Sequence, residues 1–171
     1  MGHRAKGEPL TERIVVLELA RLEAAHLTDL IEQFAALLDG GSGDDPAVAR
    51  LVPDAYRDDA ESSAEFRRLT EGDLLQRRRD DVRDVLATLQ VDGEPLTIEG
   101  IEDDAASTAM TVPLDESQSA AWLRTLAALR LVLASRLDIT DEGDHDETDP
   151  RFGVYDWIGY RLEGLLQALD D

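Results

Sequence analysis

The stretch Asp115-Glu116-Ser117-Gln118-Ser119-Ala120-Ala121-Trp122-Leu123-Arg124-Thr125-Leu126-Ala127-Ala128-Leu129-Arg130-Leu131-Val132-Leu133-Ala134-Ser135-Arg136-Leu137 decides the fold class. Asp115 followed three residues later by Gln118 is close to a capping box, so a helix starts here. Trp122, Leu126, Leu129, Leu133 and Leu137 share one side, while Leu123, Leu131 and Val132 fall on others. Apolarity around the whole circumference predicts the central helix of a bundle.

Working outward, Thr108 to Leu114 reads as a short strand leading into that helix, and Arg13-Ile14-Val15-Val16-Leu17 as another, because both are short and rich in β-branched residues. Leu27, Leu30, Ile31, Phe34, Leu37 and Leu38 then recur at helical spacing and stop at Asp39-Gly40-Gly41-Ser42-Gly43. An offset of 96 residues lays Ile14-Val15-Val16 on Met110-Thr111-Val112, and Leu27, Leu30 and Leu37 on Leu123, Leu126 and Leu133. Ala and Leu are common in this chain, so the match is weak. It carries the expectation that the two strands pair and the two helices pack as neighbours.

Asp45-Pro46 and Asp149-Pro150 each have the form of a cap followed by Pro at the first helical position. They predict a short helix over Pro46 to Leu51 and a final helix whose buried stripe is Val154, Ile158, Leu162, Leu165 and Leu169, with Trp157 beside it. Between them, Glu61 to Gln90 is a long helical stretch, either broken at Gly72 or continuous through it. Leu75, Val82, Leu86 and Leu89 trace its apolar face, and the missing turn falls on Arg78 and Arg79. Val91 to Ala109 has no sustained period and is expected to be a long loop. The expected organisation is a flexible segment 1–12 and a single mainly α domain over 13–171. It is a bundle of about five helices with a short two-stranded β pair, and its mobile loops lie near 40–45, 91–109 and 138–149.

The 171 residues carry 38 Asp and Glu against 17 Lys and Arg, for a formal charge of −21. Such a charge opposes broad binding to nucleic acid or anionic lipid. Sixteen of the 17 cations are Arg, with Lys6 the exception, which has the look of a GC-rich coding bias. There is no cysteine, which removes disulfides, thiolate nucleophiles and Cys-type zinc sites together. Neither a signal peptide nor an 18-residue apolar run is visible, so a cytoplasmic location is expected.

The candidate binding residues are Arg67, Arg68, Arg77, Arg78, Arg79 and Arg83 on the long helix, and Tyr155 and Tyr160 near the C-terminus. Seven Arg from Arg57 to Arg83 are interleaved with eight Asp and Glu, leaving that segment at −1 and favouring a salt-bridged face over a DNA-reading one. One of Arg78 and Arg79 sits on the apolar stripe, so it either pairs with a buried carboxylate or points into a site for an anionic partner. Trp122 and Trp157 are expected to anchor the central helix to the last one. Tyr155 and Tyr160 flank that seam, where a partly exposed ring is a candidate hot spot for a protein partner.

The acidic run Asp141 to Asp149 is rich in oxygen ligands but lacks EF-hand spacing, and reads as a solvated loop. His3, His26 and His145 show no zinc-hydrolase pattern, and His26 is expected to be half-buried beside the Leu27 and Leu30 stripe. No phosphate loop, dinucleotide fingerprint or nucleophile elbow is present. No catalytic residue, metal or cofactor is assigned.

Four segments resemble the actinobacterial AosR family, in the family's order and over roughly Ile14 to Leu169. They are Asp45-Pro46-Ala47-Val48-Ala49-Arg50-Leu51-Val52-Pro53-Asp54-Ala55-Tyr56; Ala64-Glu65-Phe66-Arg67-Arg68-Leu69-Thr70; Ala121-Trp122-Leu123-Arg124 with Leu129-Arg130-Leu131-Val132-Leu133; and Tyr155-Asp156-Trp157-Ile158-Gly159-Tyr160. The resemblance implies a cytoplasmic actinobacterial regulator of transcription or oxidative stress, often encoded near the Clp protease adaptor, with no catalytic residues to carry over. The chain departs from that picture in having no cysteine for direct thiol sensing. The function expected is therefore non-catalytic regulation through contact with a protein partner, a homodimer being compatible with it. The alternatives are a DNA-binding transcriptional regulator and a metal-dependent enzyme using Asp144, His145 or Asp146.

Overall fold

A computed structural model describes residues 13–40, 44–52, 59–141, 145–146 and 148–170. The expected flexible segment 1–12, His3, Pro53 and part of the acidic run, including Asp144, lie outside them. The described residues form a mainly α structure of five helices with a small antiparallel strand pair, as the periodicity predicts.

Strand β1 (Val15–Ala20) runs directly into α1 (Arg21–Gly40). After the short α2 (Pro46–Ala49) and the long α3 (Ala60–Thr88) comes a two-residue hairpin, β2 (Gln90–Val91) and β3 (Glu94–Pro95). Then follow β4 (Ala109–Leu114), α4 (Glu116–Arg136) and α5 (Gly153–Asp170). The strand anticipated at Arg13–Leu17 lies slightly later, because Val15 and Leu19 are the residues that reach the core.

β1 and β4 pair antiparallel from Val15 opposite Leu114 to Ala20 opposite Ala109. The pairing expected from the internal similarity is present, but the helices that follow are not close neighbours. An antiparallel ribbon sends its two chains off opposite ends, roughly 17 Å apart for strands of this length. Accordingly α4 approaches α3 and α5 most closely, and α1 packs on α3.

Asp115 accepts from the Gln118 amide at 2.7 Å and Gln118 Oε1 accepts from the Asp115 amide at 3.0 Å, completing the capping box. α4 then buries Trp122, Leu126, Ala128, Leu129 and Val132, with neighbours on several sides. Leu27, Ile31, Phe34 and Leu38 of α1 and Leu75, Val82, Val85 and Leu89 of the α3 region complete the same core. α3 is continuous through Gly72.

The tryptophans serve seams other than the one expected. Trp122 Nε1 donates to Thr88 Oγ1 at 2.9 Å, tying α4 to α3, and Trp157 Nε1 donates to Glu23 Oε1 at 2.7 Å, tying α5 to α1. The buried stripe of α5 is also rotated at its start, with Tyr155 inside and Val154 outside.

The stretch 91–109 has more structure than the expected loop. Asp92 (φ 54°) and Gly93 (φ 82°) make a two-residue hairpin turn of the kind that Asp-Gly favours. Farther on, Thr108 and Ala106 carbonyls accept from the Arg21 and Leu22 amides at 2.9 and 3.1 Å. α1 begins straight from a strand with Ala20 in the cap position, so these carbonyls satisfy amides that a capping side chain would otherwise take.

Candidate functional site

The arginines of α3 divide into ties and surface charges. Arg79 Nε donates to Asp39 Oδ1 at 2.9 Å and its guanidinium to the Leu38 carbonyl at 2.5 Å, placing a cation at the C-terminal end of α1. Arg78 donates to the Leu51 carbonyl at 3.3 Å. Burial pushes its guanidinium pKa below the usual range, against the opposing influence of Asp81. Of the two arginines near the apolar stripe, Arg78 thus meets a backbone carbonyl beyond α2, and Arg79 meets the exposed Asp39 carboxylate and a backbone carbonyl of α1.

Arg67 is half-buried, whereas Arg68, Arg77 and Arg83 are exposed. Arg83 pairs with Asp80 at 3.1 Å, an ordinary pair one turn apart. Across the α3–α4 surface Arg124 donates to both Asp81 oxygens at 2.8 and 2.6 Å, beside a concavity of about 590 Å³ that Arg77 and Arg78 also line. The structure does not bring the arginines and the two tyrosines into one surface: the arginines lie on α3 and the tyrosines on α5.

Tyr155-Asp156-Trp157-Ile158-Gly159-Tyr160 is almost wholly absorbed by packing. Tyr155 is 4% exposed, with the Arg130 guanidinium 4.4 Å from its ring centroid. Its expected role as a partly exposed contact is therefore corrected. Gly159 makes room for the same arginine, since a Cβ there would stand 3.2 Å from Arg130 Nε. Asp156 contacts His145 Nε2 at 2.7 Å, Trp157 reaches Glu23, and Ile158 is buried. Tyr160 alone in the segment projects, at 70% exposed.

His145 is not a solvated loop residue: its side chain is 7% exposed, with Tyr155 edge-on at 5.3 Å and Phe152 at 5.0 Å. Its Nδ1 finds no hydrogen-bond partner among the described residues. The Asp146 carboxylate accepts from the Thr148 amide and hydroxyl at 2.8 and 2.6 Å, which closes a local turn. No group of three His, Asp or Glu suited to a metal occurs among the described residues.

A concavity beside α1 is a feature the sequence reading missed. A cleft of about 860 Å³ opens between the first turns of α1, the Ala106–Ser107 segment and the start of α5. Leu22, Leu30, Val154 and Trp157 give it apolar surface, and His26, Asp29 and Gln33 stand along the α1 side. His26 is exposed there, contrary to the half-buried position expected beside Leu27 and Leu30. The spacing of those three polar residues places them on one edge of α1, a signal available in the sequence. What made it unreadable was the opposite wall, supplied by residues some 80 and 120 positions downstream.

Among the lining residues, Glu23 joins α1 to α5 and to the end of β1. It receives Trp157, the Arg161 guanidinium with Nε at 2.6 Å, and the Ala20 amide at 3.3 Å. Burial by itself would raise the Glu23 pKa, but the hydrogen bonds from Arg161 and Trp157 and the Arg161 charge hold it below the ordinary value. A carboxylate so engaged is a structural tie and a poor proton acceptor. His26, Asp29 and Gln33 are aligned along a rim, and Gln33 Nε2 donates to Asp29 Oδ2 at 2.8 Å. That arrangement offers an apolar surface with one polar edge.

No helix among the described residues is long and apolar enough to cross a membrane. Comparison with curated proteins and with solved structures returns no match. A family model described as a domain of unknown function, DUF2017, matches residues 2–169. With nearly its whole length inside that match, the chain belongs to the DUF2017 family.

Proposed function

We propose that the protein is a non-catalytic regulatory module that works in the cytoplasm by binding another protein. The setting is the transcriptional or oxidative-stress control implied by the AosR resemblance, without thiol sensing. The observation that carries this reading is the α1–α5 cleft: its apolar residues are accompanied by a polar edge on α1, the anatomy of a contact surface. Exposed Val154 and Tyr160 on α5 extend apolar and aromatic surface beyond the core.

The test is capture of a partner by the tagged full-length chain from an actinobacterial lysate at physiological salt, with nuclease present. Wild type is compared with a Leu30→Ser/Val154→Ser variant and an Arg68→Glu/Arg77→Glu variant, each checked for its helical signal. A stoichiometric protein retained by wild type and lost from the cleft variant is the expected result. Loss only from the arginine variant moves the contact to α3. A partner retained only in a parallel capture without nuclease replaces this reading with direct nucleic-acid binding, whose affinity falls steeply with salt.

A further inference from the structure

Resting on the protein-contact reading, we infer that the α1–α5 cleft receives a basic amphipathic helical segment of its partner. The polar edge of the cleft, His26, Asp29 and Gln33, follows the α1 axis for about 10 Å, the rise of seven helical residues. The apolar surface beside it comes from Leu22, Leu30 and Val154. A compact small-molecule site instead wraps its ligand and converges its polar groups on it. A rim on one side suits a helix that lays an apolar stripe into the cleft and turns its charged flank to Asp29.

The sign of that flank follows from charge. No Lys or Arg lines the cleft among the described residues, and exposed Glu102, Asp103 and Asp104 lead into the Ala106–Ser107 wall. The chain as a whole carries −21, so basic segments are drawn in at long range and acidic ones repelled. Glu23 does not add to the attraction, because Arg161 already neutralises it.

The probe is a fluorescein-labelled 16-residue Leu/Lys amphipathic peptide, titrated with the full chain by anisotropy. A Leu/Glu peptide with the same apolar face serves as the charge control. Leu30→Ser/Val154→Ser leaves every charge in place and is expected to weaken Leu/Lys binding at least tenfold. Asp29→Asn is expected to weaken it about threefold and to flatten its salt dependence. The Leu/Glu peptide is expected not to bind. Unchanged affinity in the double-Ser variant overturns the inference, since the peptide is then adsorbed by general charge. Equal binding of the Leu/Glu peptide overturns the chemistry assigned to the partner. A wild-type dimer in sedimentation that the double-Ser variant abolishes gives the cleft to a second copy instead. A captured partner that the Leu/Lys peptide does not displace defeats this inference while leaving protein binding intact; absence of any captured partner defeats the parent reading.

Discussion

The two halves of α3 are one continuous helix with opposite relations to the rest of the molecule. From Leu75 onward, Leu75, Val82 and Val85 are buried, Leu89 follows them into the core, and Arg79 and Asp81 bond to neighbouring helices. Before Leu75, Ser63 is buried, Phe66 is partly exposed and Leu69 is 73% exposed. The first half is started locally, by Asp59 accepting from the Glu61 and Ser62 amides at 3.1 and 3.0 Å. Isolated helices of about 15 residues are marginal in water, so continuity with the packed half supports this one. Helix formation and tertiary anchoring are separable here within one element.

Leu89→Ala gives the sharpest break of that comparison. Removing a fully buried side chain from the packed half is expected to cost about 2–5 kcal/mol in denaturant unfolding. A loss below about 1 kcal/mol there would show that the packed half is not the anchor.

The α1–α5 seam adds a region held by charge, and pH separates it from the halves held by packing. Glu23→Gln is expected to cost about 0.5–1.5 kcal/mol at pH 7. Because the folded carboxyl has a lowered pKa, its contribution is present above the ordinary value of 4.5 and is lost as pH falls through the folded value. Wild type and variant should therefore converge in stability in acid. A difference that persists below that range would assign the loss to shape and not to charge.

Gly72 stands close to the boundary between the halves, with open space where a Cβ would go. Gly72→Ala should raise stability by about 0.5–1 kcal/mol through helix propensity, and slow amide exchange in 60–72. Leu69→Ala, the smallest effect, should stay within about 0.5 kcal/mol, since the side chain is already in water. A larger loss from Leu69→Ala would mean that Leu69 is covered in solution.

The local parts of this fold were legible because their causes are local. The Asp115 capping box, the Asp45-Pro46 start and the apolar stripes of α1 and α4 are set by residues within a few positions of one another. Asp92-Gly93 carried an equally local hairpin signal, but flanking strands of two residues give no periodicity to support it. The fates of Arg78, Arg79 and Tyr155 were not legible. Each depends on a group 25 or more positions away in the chain: the Leu51 and Leu38 carbonyls and the Arg130 guanidinium.

The amino-acid sequence by itself determined a mainly helical chain, its strand pair, its central helix and its acidity, since periodicity, capping and charge are sums over neighbours. The tertiary structure decided what surrounds each tryptophan, which arginines become ties, and that a cleft opens beside α1. A concave surface needs walls from distant segments, and their meeting depends on the direction in which the β1–β4 ribbon sends its helices. One wall is held by the Ala106 and Thr108 carbonyls on the uncapped start of α1, and the other by Trp157 and Arg161 on Glu23. No single one of those segments contains the site.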